Sequence, residues 1–281
     1  MTNAATSEQF SVLLPVYHRD DPDHLERSFR SVTQEQSLRP SEVVIVQDGP
    51  VGPSLATALE RCSRSSPVPV RTVVLDQNVG LARALEAGLA RCRFEIVARQ
   101  DADDVSRADR FAVQVPLVAG GVDIVGSAIE EFEEDDSQHG MVRVPPLSSE
   151  AIARRARFAS PFNHPSVVYR RSAVLAAGGY EDLHLMEDYW LFVRMLAAGV
   201  RGRNVAEPLV RYRVGAGAYA RRGGRALLAS ELRIQRRMRA AGFTSRVQYV
   251  RNVLVRGGYR VLGEPVRRAL YRAWSRVSRR S

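Results

Sequence analysis

The chain has 281 residues, of which 45% are hydrophobic and 26% charged, enough to bury a sizeable α/β core and too apolar for a disordered chain. Its formal net charge is +10, all 41 basic residues are Arg, and its two cysteines, Cys62 and Cys92, fit no CxxC or zinc spacing. A disulfide scaffold is thereby excluded, no apolar run reaches the ~18 residues of a membrane span, and Met1 to Phe10 does not read as a signal peptide.

In chain order, Ser11-Val-Leu-Leu-Pro-Val-Tyr17 predicts a strand, and Asp20-Asp-Pro-Asp23 opens a helical pattern carrying Leu25, Phe29 and Val32. Glu42-Val-Val-Ile-Val46 predicts a second strand that ends on the turn cluster Gln47-Asp-Gly-Pro50. A helix over Leu55–Arg61, a strand over Val70–Leu75, a helix over Leu81–Arg91 and a strand over Glu95–Ala98 follow. This alternation predicts an α/β fold with a doubly wound, mainly parallel sheet, whose ligands lie beyond the carboxyl ends of the strands. Residues 121–170 are less regular, with a strand over Asp123–Ile129, an acidic stretch from Glu130 to Asp136 expected at a solvated surface, and a Pro145-Pro146 break.

From Ala226 the chain reads as helices jointed at Gly242, Gly257-Gly258 and Gly263, and Pro265 suits a helix start. Beyond it Val266, Leu270, Ala273, Trp274 and Val277 share one face. Residues 221–281 hold 17 Arg against Glu231 and Glu264, whereas residues 1–220 hold 24 Arg against 29 acids. The expected organisation is a catalytic domain over 1–220 and an Arg-rich helical extension over 221–281, with two destinations open to the extension. It can lie on an anionic membrane surface, or pack on the catalytic domain with its Arg residues solvated.

The sharpest chemical signal is Asp101-Ala-Asp103-Asp104 directly after a predicted strand. Carboxylates so spaced can meet the phosphates of one ligand through Mg²⁺ or Mn²⁺, which then offsets charge on a departing nucleoside diphosphate. By itself the pattern fits an ordinary acidic loop equally well. Glu187-Asp188 precedes the apolar helical set Leu191, Phe192, Met195 and Leu196. It reads as dipole complement or as a general base that takes a proton from an attacking hydroxyl. Asp48 suits either contact with a base or the turn at Gly49-Pro50. Asn78-Val-Gly80-Leu-Ala-Arg83 suits either a phosphate-binding helix start or an ordinary cap. His164, in Asn163-His164-Pro165, lines an acceptor pocket or serves local structure.

The order Pro15-Val-Tyr17, Val-Gln-Asp48-Gly, Asn78-Val-Gly-Leu-Ala-Arg83, Ala-Arg-Gln-Asp101-Ala-Asp-Asp104, Gly178-Gly-Tyr180 and Glu187-Asp-Tyr189 resembles family 2 glycosyltransferases over about Phe10 to Arg213. The resemblance implies a GT-A fold, a nucleotide-sugar donor (UDP favoured), a divalent cation, Mn²⁺ or Mg²⁺, and inversion at the anomeric carbon. It assigns Pro15, Tyr17 and Asp48 to the base, Asp101 to the ribose side and Asp103 to the metal. Asp188 becomes the catalytic base, and Glu187 shapes the acceptor site. Asn163-His164-Pro165-Ser166 and Arg221-Arg-Gly-Gly224 resemble the bacterial subgroup that builds exopolysaccharide and capsule repeats, which implies a glycan or lipid-linked acceptor. The expected location is cytoplasmic, peripheral on the inner face of the plasma membrane. His18 and Gln100 depart from the pattern and bear on donor preference. The QxxRW pattern of processive synthases is absent, which favours single addition.

Other classes fit less well. No GxGxxG follows the first strand, which removes a dinucleotide oxidoreductase, and Pro15-Val-Tyr-His-Arg-Asp20 lacks the Gly-rich loop of a sugar nucleotidyltransferase. Nucleic acid is not expected as a partner, because few aromatics interleave the Arg residues of the tail. A non-catalytic or polyanion-binding protein is the remaining alternative.

Overall fold

The structure, a computed structural model, describes residues 8–214 and 224–261. The first half winds as the periodicity predicts. Strand β1 (Phe10–Tyr17) leads into α1 (Pro22–Thr33), where Asp21 accepts from the backbone N–H groups of Asp23 and His24 and Pro22 opens the helix. β2 (Glu42–Asp48), α2 (Pro53–Ser65), β3 (Val70–Val74), α3 (Leu81–Leu89) and β4 (Ile96–Arg99) complete it. β1 pairs in parallel with β2 and β4, and β2 with β3, which aligns Tyr17 opposite Asp48 at one edge.

The second half is mixed rather than parallel. It comprises β5 (Val105–Ser106), α4 (Arg110–Ala119), β6 (Ile124–Phe132), β7 (Val142–Arg143), α5 (Ser149–Ala156), a 3₁₀ turn (His164–Ser166), β8 (Val168–Arg170) and α6 (Arg171–Ala176). α7 (Glu187–Ala197) and β9 (Gly202–Arg213) follow. The sheet order is β3-β2-β1-β4-β8-β6-β9-β5 with β7 beside β6. β8 runs antiparallel to both β4 and β6, and β9 lies parallel to β6.

Alternation along β1 feeds both faces. Phe10, Val12, Leu14 and Val16 join Leu25, Phe29, Leu55, Phe111 and Val115, while Leu13 joins Leu85, Leu89, Phe192 and Met195. Each such fully buried side chain stabilises by about 1.5–3 kcal/mol. Cys62 and Cys92 are free thiols buried in these layers.

The acidic stretch is only partly a solvated surface. Glu130 and Glu131 belong to β6 and are buried, Glu130 2.8 Å from His139 Nδ1 and Glu131 3.1 Å from Arg143 Nε, whereas Glu133 to Asp135 are exposed. Buried acids persist in a strand only when paired in this way.

The C-terminal helices α8 (Arg225–Ala240) and α9 (Arg246–Asn252), a π-helical turn (Val253–Gly257) and α10 (Gly258–Val261) fold onto α7. Leu227, Ile234 and Met238 pack with Leu183, Met186, Trp190 and Val193. The expected boundary at 220/221 and the helix after Pro265 lie outside the described residues. Among the described residues, no helix is long and apolar enough to cross a membrane.

Candidate active site

The loop after β4 is built from inside. Gln100 is fully buried, and its amide N donates to Ser28 Oγ (2.9 Å), Asp101 O (3.2 Å) and Asp104 O (2.8 Å). Its Oε1 accepts from Ser106 Oγ (2.8 Å) and from Arg110 Nη1 (2.7 Å). Arg110, equally buried, also donates to Arg99 O and Pro165 O. Polar groups in a dry interior tolerate few other arrangements, so this network fixes the loop.

Held so, Asp101, Asp103 and Asp104 place one carboxylate oxygen each within 4.8 Å of one another. Asp104 Oδ1 accepts from the Arg213 backbone N–H (2.9 Å), while its buried Oδ2 has no hydrogen-bond partner among the described residues. Arg213 reaches back through Nε to Asp103 O (3.0 Å). Desolvation by surrounding protein, then the Asp101 charge, pushes Asp103 up to about 6. Asp104 is raised well above the carboxylate range by burial and then by Asp103 and Asp101. Asp20 is pushed up to about 7, chiefly by burial, with Asp103 and Asp101 adding to it. Crowded oxygen donors with one buried oxygen unbonded fit a hard divalent cation such as Mg²⁺ or Mn²⁺.

The second acid pair opens α7. Among the described residues no side chain caps this helix, and Glu187 and Asp188 supply the negative charge its N-terminus favours. Leu185, two residues before Glu187, sits at φ 58°, a left-handed conformation that is uncommon for a branched side chain and clusters at functional sites. Burial and then the Asp188 charge push Glu187 up to about 7. Asp188 is raised too, mainly by burial, with helix amides and Arg99 acting in the opposite direction.

Arg99 joins the two acid groups. It is fully buried, pairs with Asp101, and lowers Asp103, Asp104, Glu187 and Asp188 alike. Burial works against its charge, but Asp101, by charge and hydrogen bond, together with Tyr180 and Asp104 holds the guanidinium protonated. Its Nε and Nη1 have no hydrogen-bond partner among the described residues.

A cleft of about 800 Å³ exposes this centre, lined by Arg99, Asp101, Glu187, Asp188 and His164 and, further along, by Arg143, Arg155 and Arg256. His164 Nε2 lies 3.0 Å from Tyr180 Oη, and burial with the Arg99 charge holds it well below its usual pKa, hence neutral. Tyr180 is set by its own backbone N–H, which donates to Glu86 Oε1 of α3 at 2.5 Å. The turn before it needs glycine: Gly179 has φ 66°, and a Cβ there would stand 2.4 Å from Glu86 Oε1.

The donor-side residues named from the sequence gather at the carboxyl edge of the parallel strands. Pro15 is buried in β1 and Tyr17 is 40% exposed. Asp48 is tied up internally, accepting from Asn78 Nδ2 (3.0 Å), Val79 N (2.7 Å) and Gly80 N (3.0 Å). Asn78 is therefore no helix cap; Gly80 holds that position with φ 88°. Arg83 is exposed on the first turn of α3 and makes no ion pair with a described residue. Sequence reasoning missed the roles of Arg99, Gln100, Asp104, Arg110 and Arg213. The one available signal was an Arg-Gln pair closing an otherwise apolar strand.

Comparison with known proteins places this geometry. A family model described as glycosyl transferase family 2 matches residues 11–178. The amylovoran biosynthesis glycosyltransferase AmsE of Erwinia amylovora is 35% identical over 266 residues, 93% of this chain and 97% of that protein. The UDP-Gal:alpha-D-GlcNAc-diphosphoundecaprenol beta-1,3-galactosyltransferase of Escherichia coli is 32% identical over 266 residues, 94% of this chain and 95% of its own. Among solved structures, the mannosyltransferase PcManGT of Pyrobaculum calidifontis, in complex with GDP-Man and Mn²⁺, superposes with a TM-score of 0.67 at 20% identity, covering 94% of this chain and 72% of that one. S. aureus TarS gives 0.64 at 14%, covering 88% and 44%. These neighbours are GT-A enzymes, and the mixed sheet here is of that fold.

Proposed function

The chain belongs to glycosyl transferase family 2, and on that premise we propose an inverting transfer of a hexose from a UDP-linked donor to a hydroxyl of a lipid-linked glycan. The observation that carries the reading is the convergence of Asp101–Asp104 and Glu187–Asp188 on one buried cation, Arg99, beside one cleft. The E. coli relative, by its name, takes a diphospholipid-linked sugar as acceptor and UDP-Gal as donor.

In this mechanism Asp188 accepts the proton of the acceptor hydroxyl as that oxygen attacks the anomeric carbon from the face opposite the leaving group. Glu187 and the neutral His164 orient the acceptor, and Arg99 opposes the rise that burial imposes on the neighbouring carboxylates. Asp101 and Asp103, with Asp104 behind them, would hold Mg²⁺ or Mn²⁺, which when bound offsets charge on the departing diphosphate. Tyr17, Pro15, Asp48 and Asn78 form the edge that receives the nucleotide, and Arg83 stands at the phosphates. Asp48 then acts through the 78–80 turn it holds, as well as on the base.

We assign residues 1–220 to catalysis and 221–281 to attachment at an anionic membrane surface on the cytoplasmic side. The support is an exposed apolar stripe on α9 and the π-turn, Val247, Val250, Leu254 and Val255, beside exposed Arg246 and Arg251. The deciding experiment is thermal unfolding with UDP, GDP and dTDP, each with and without Mn²⁺, followed by transfer assays on lipid-linked acceptors. A Mn²⁺-dependent shift with UDP is expected. No shift with any nucleotide at millimolar concentration would sink the transferase reading.

A further inference from the structure

The cleft holds two neighbourhoods of charge. Arg99 is the cation felt by Glu187 and Asp188, whereas Arg155, on α5, feels Arg256 of the π-turn. These two guanidiniums come from elements about a hundred residues apart and line the same cleft, with Arg143 of β7 also on its surface. Arg256 is fixed there by Glu231, through Nε at 2.7 Å and Nη2 at 2.8 Å. Arg143 is steadied by Glu131 and by the face of Tyr212, 4.9 Å from the ring centre. Burial and then the Arg256 charge lower Arg155 below the usual arginine range, even though Glu231 balances the charge of Arg256. An anion beside Arg155 and Arg256 offsets that like-charge effect, and guanidinium N–H groups are strong charge-assisted donors to phosphate oxygens.

We propose that Arg155 and Arg256 form a subsite for the diphosphate of the acceptor, a diphosphate ester of a lipid alcohol, separate from the site of the donor diphosphate. The subsite rests on the transferase reading above and deepens it. The sugar hydroxyl is at Asp188, and the diphosphate one sugar away lies at Arg155 and Arg256. The exposed residues Leu254 and Val255 directly precede Arg256 in the π-turn, so the subsite adjoins the apolar stripe to which a lipid chain would run.

The test is calorimetric titration of decyl diphosphate, below its micelle concentration, in buffer with a metal chelator so that the Asp101–Asp104 cluster contributes no bound cation. Wild type, Arg155→Gln and Arg155→Lys are compared; Arg256 is left intact because it anchors Glu231. Wild type is expected to bind decyl diphosphate and not decanol. Arg155→Gln should weaken binding about 10–100-fold, the value of losing a charge-assisted contact, with Arg155→Lys retaining most of it. Equal affinity in wild type and Arg155→Gln overturns the proposal, as does full displacement of decyl diphosphate by UDP in the same buffer, which assigns the pair to the donor. Nucleotide-dependent thermal shifts with Mn²⁺ are recorded on the same preparations. Absence of a shift in wild type undoes the transferase reading and this subsite with it. A shift without decyl diphosphate binding overturns the subsite alone.

Discussion

Glu231 in the C-terminal helices and Asp104 in the loop after β4 are both fully buried carboxylates with arginine in their surroundings, and they respond in opposite ways. Burial opposes the charge of each. At Glu231 the guanidinium of Arg256, with help from Gln235 and Arg260, reaches both oxygens and brings the carboxyl below its usual range. Among the described residues Asp104 has one backbone N–H, one oxygen without a hydrogen bond and two other acids close by, and it ends well above that range. In the first region charge is balanced and holds helices together. In the second, acids outnumber their partners beside a cleft, the condition under which a bound cation or a transferred proton finds a use.

The contrast breaks most visibly at Asp188. Asp188→Asn should reduce kcat by about 10²–10⁴-fold, the range of a lost general base, while the unfolding temperature stays level or rises. Steady-state transfer and thermal unfolding on one preparation check this; full activity with lowered stability would make Asp188 structural. Glu231→Ala should do the reverse, costing about 3–5 kcal/mol in urea unfolding because it strands Arg256, with nucleotide binding by the folded protein retained. Because Glu231 is lowered in the folded state, its contribution to stability is present above the ordinary glutamate pKa and is lost as pH falls through the lower, folded value. The variant should show a flatter acid limb of stability. A smaller effect is expected at Asp103. The Mn²⁺-dependent part of the nucleotide shift, about 2.7 kcal/mol at a hundredfold excess over Kd, should vanish in Asp103→Ala. The smallest concerns pH. With Glu187 pushed up to about 7 and Asp188 also raised, protons stay on the pair as pH falls below neutrality, so kcat should decline there. Glu187→Gln removes one titrating partner and should move that limb about one unit lower, worth about 1.4 kcal/mol; an unmoved limb would assign it elsewhere.

The parallel half was legible because its signals are local. Apolar runs such as Glu42–Val46 and the spacing of Leu25, Phe29 and Val32 carry their own period. The region after residue 120 resisted because β6 finds its neighbours in β8 and β9, tens of residues away, and carries acids whose partners stand on other segments. At the site the acids could be named, since carboxylates in short motifs advertise themselves. Arg99 and Gln100 could not be given roles, because those depend on Ser28 and Arg110, joined to them only by the folded chain. The same holds for Tyr180, whose place is set by Glu86, 94 residues earlier.

Gln100 has a consequence for the heat of binding. Because one buried amide already ties Asp101 O and Asp104 O to Ser28, the loop is ordered when the chain folds, and a cation that joins it meets a finished surface. Association without ordering buries little further apolar area, so the heat capacity change on metal–nucleotide binding should be small, unlike that of a loop that folds around its ligand. Affinity at this site is then set by how the acids repel one another, and hardly by the entropy of bringing them together.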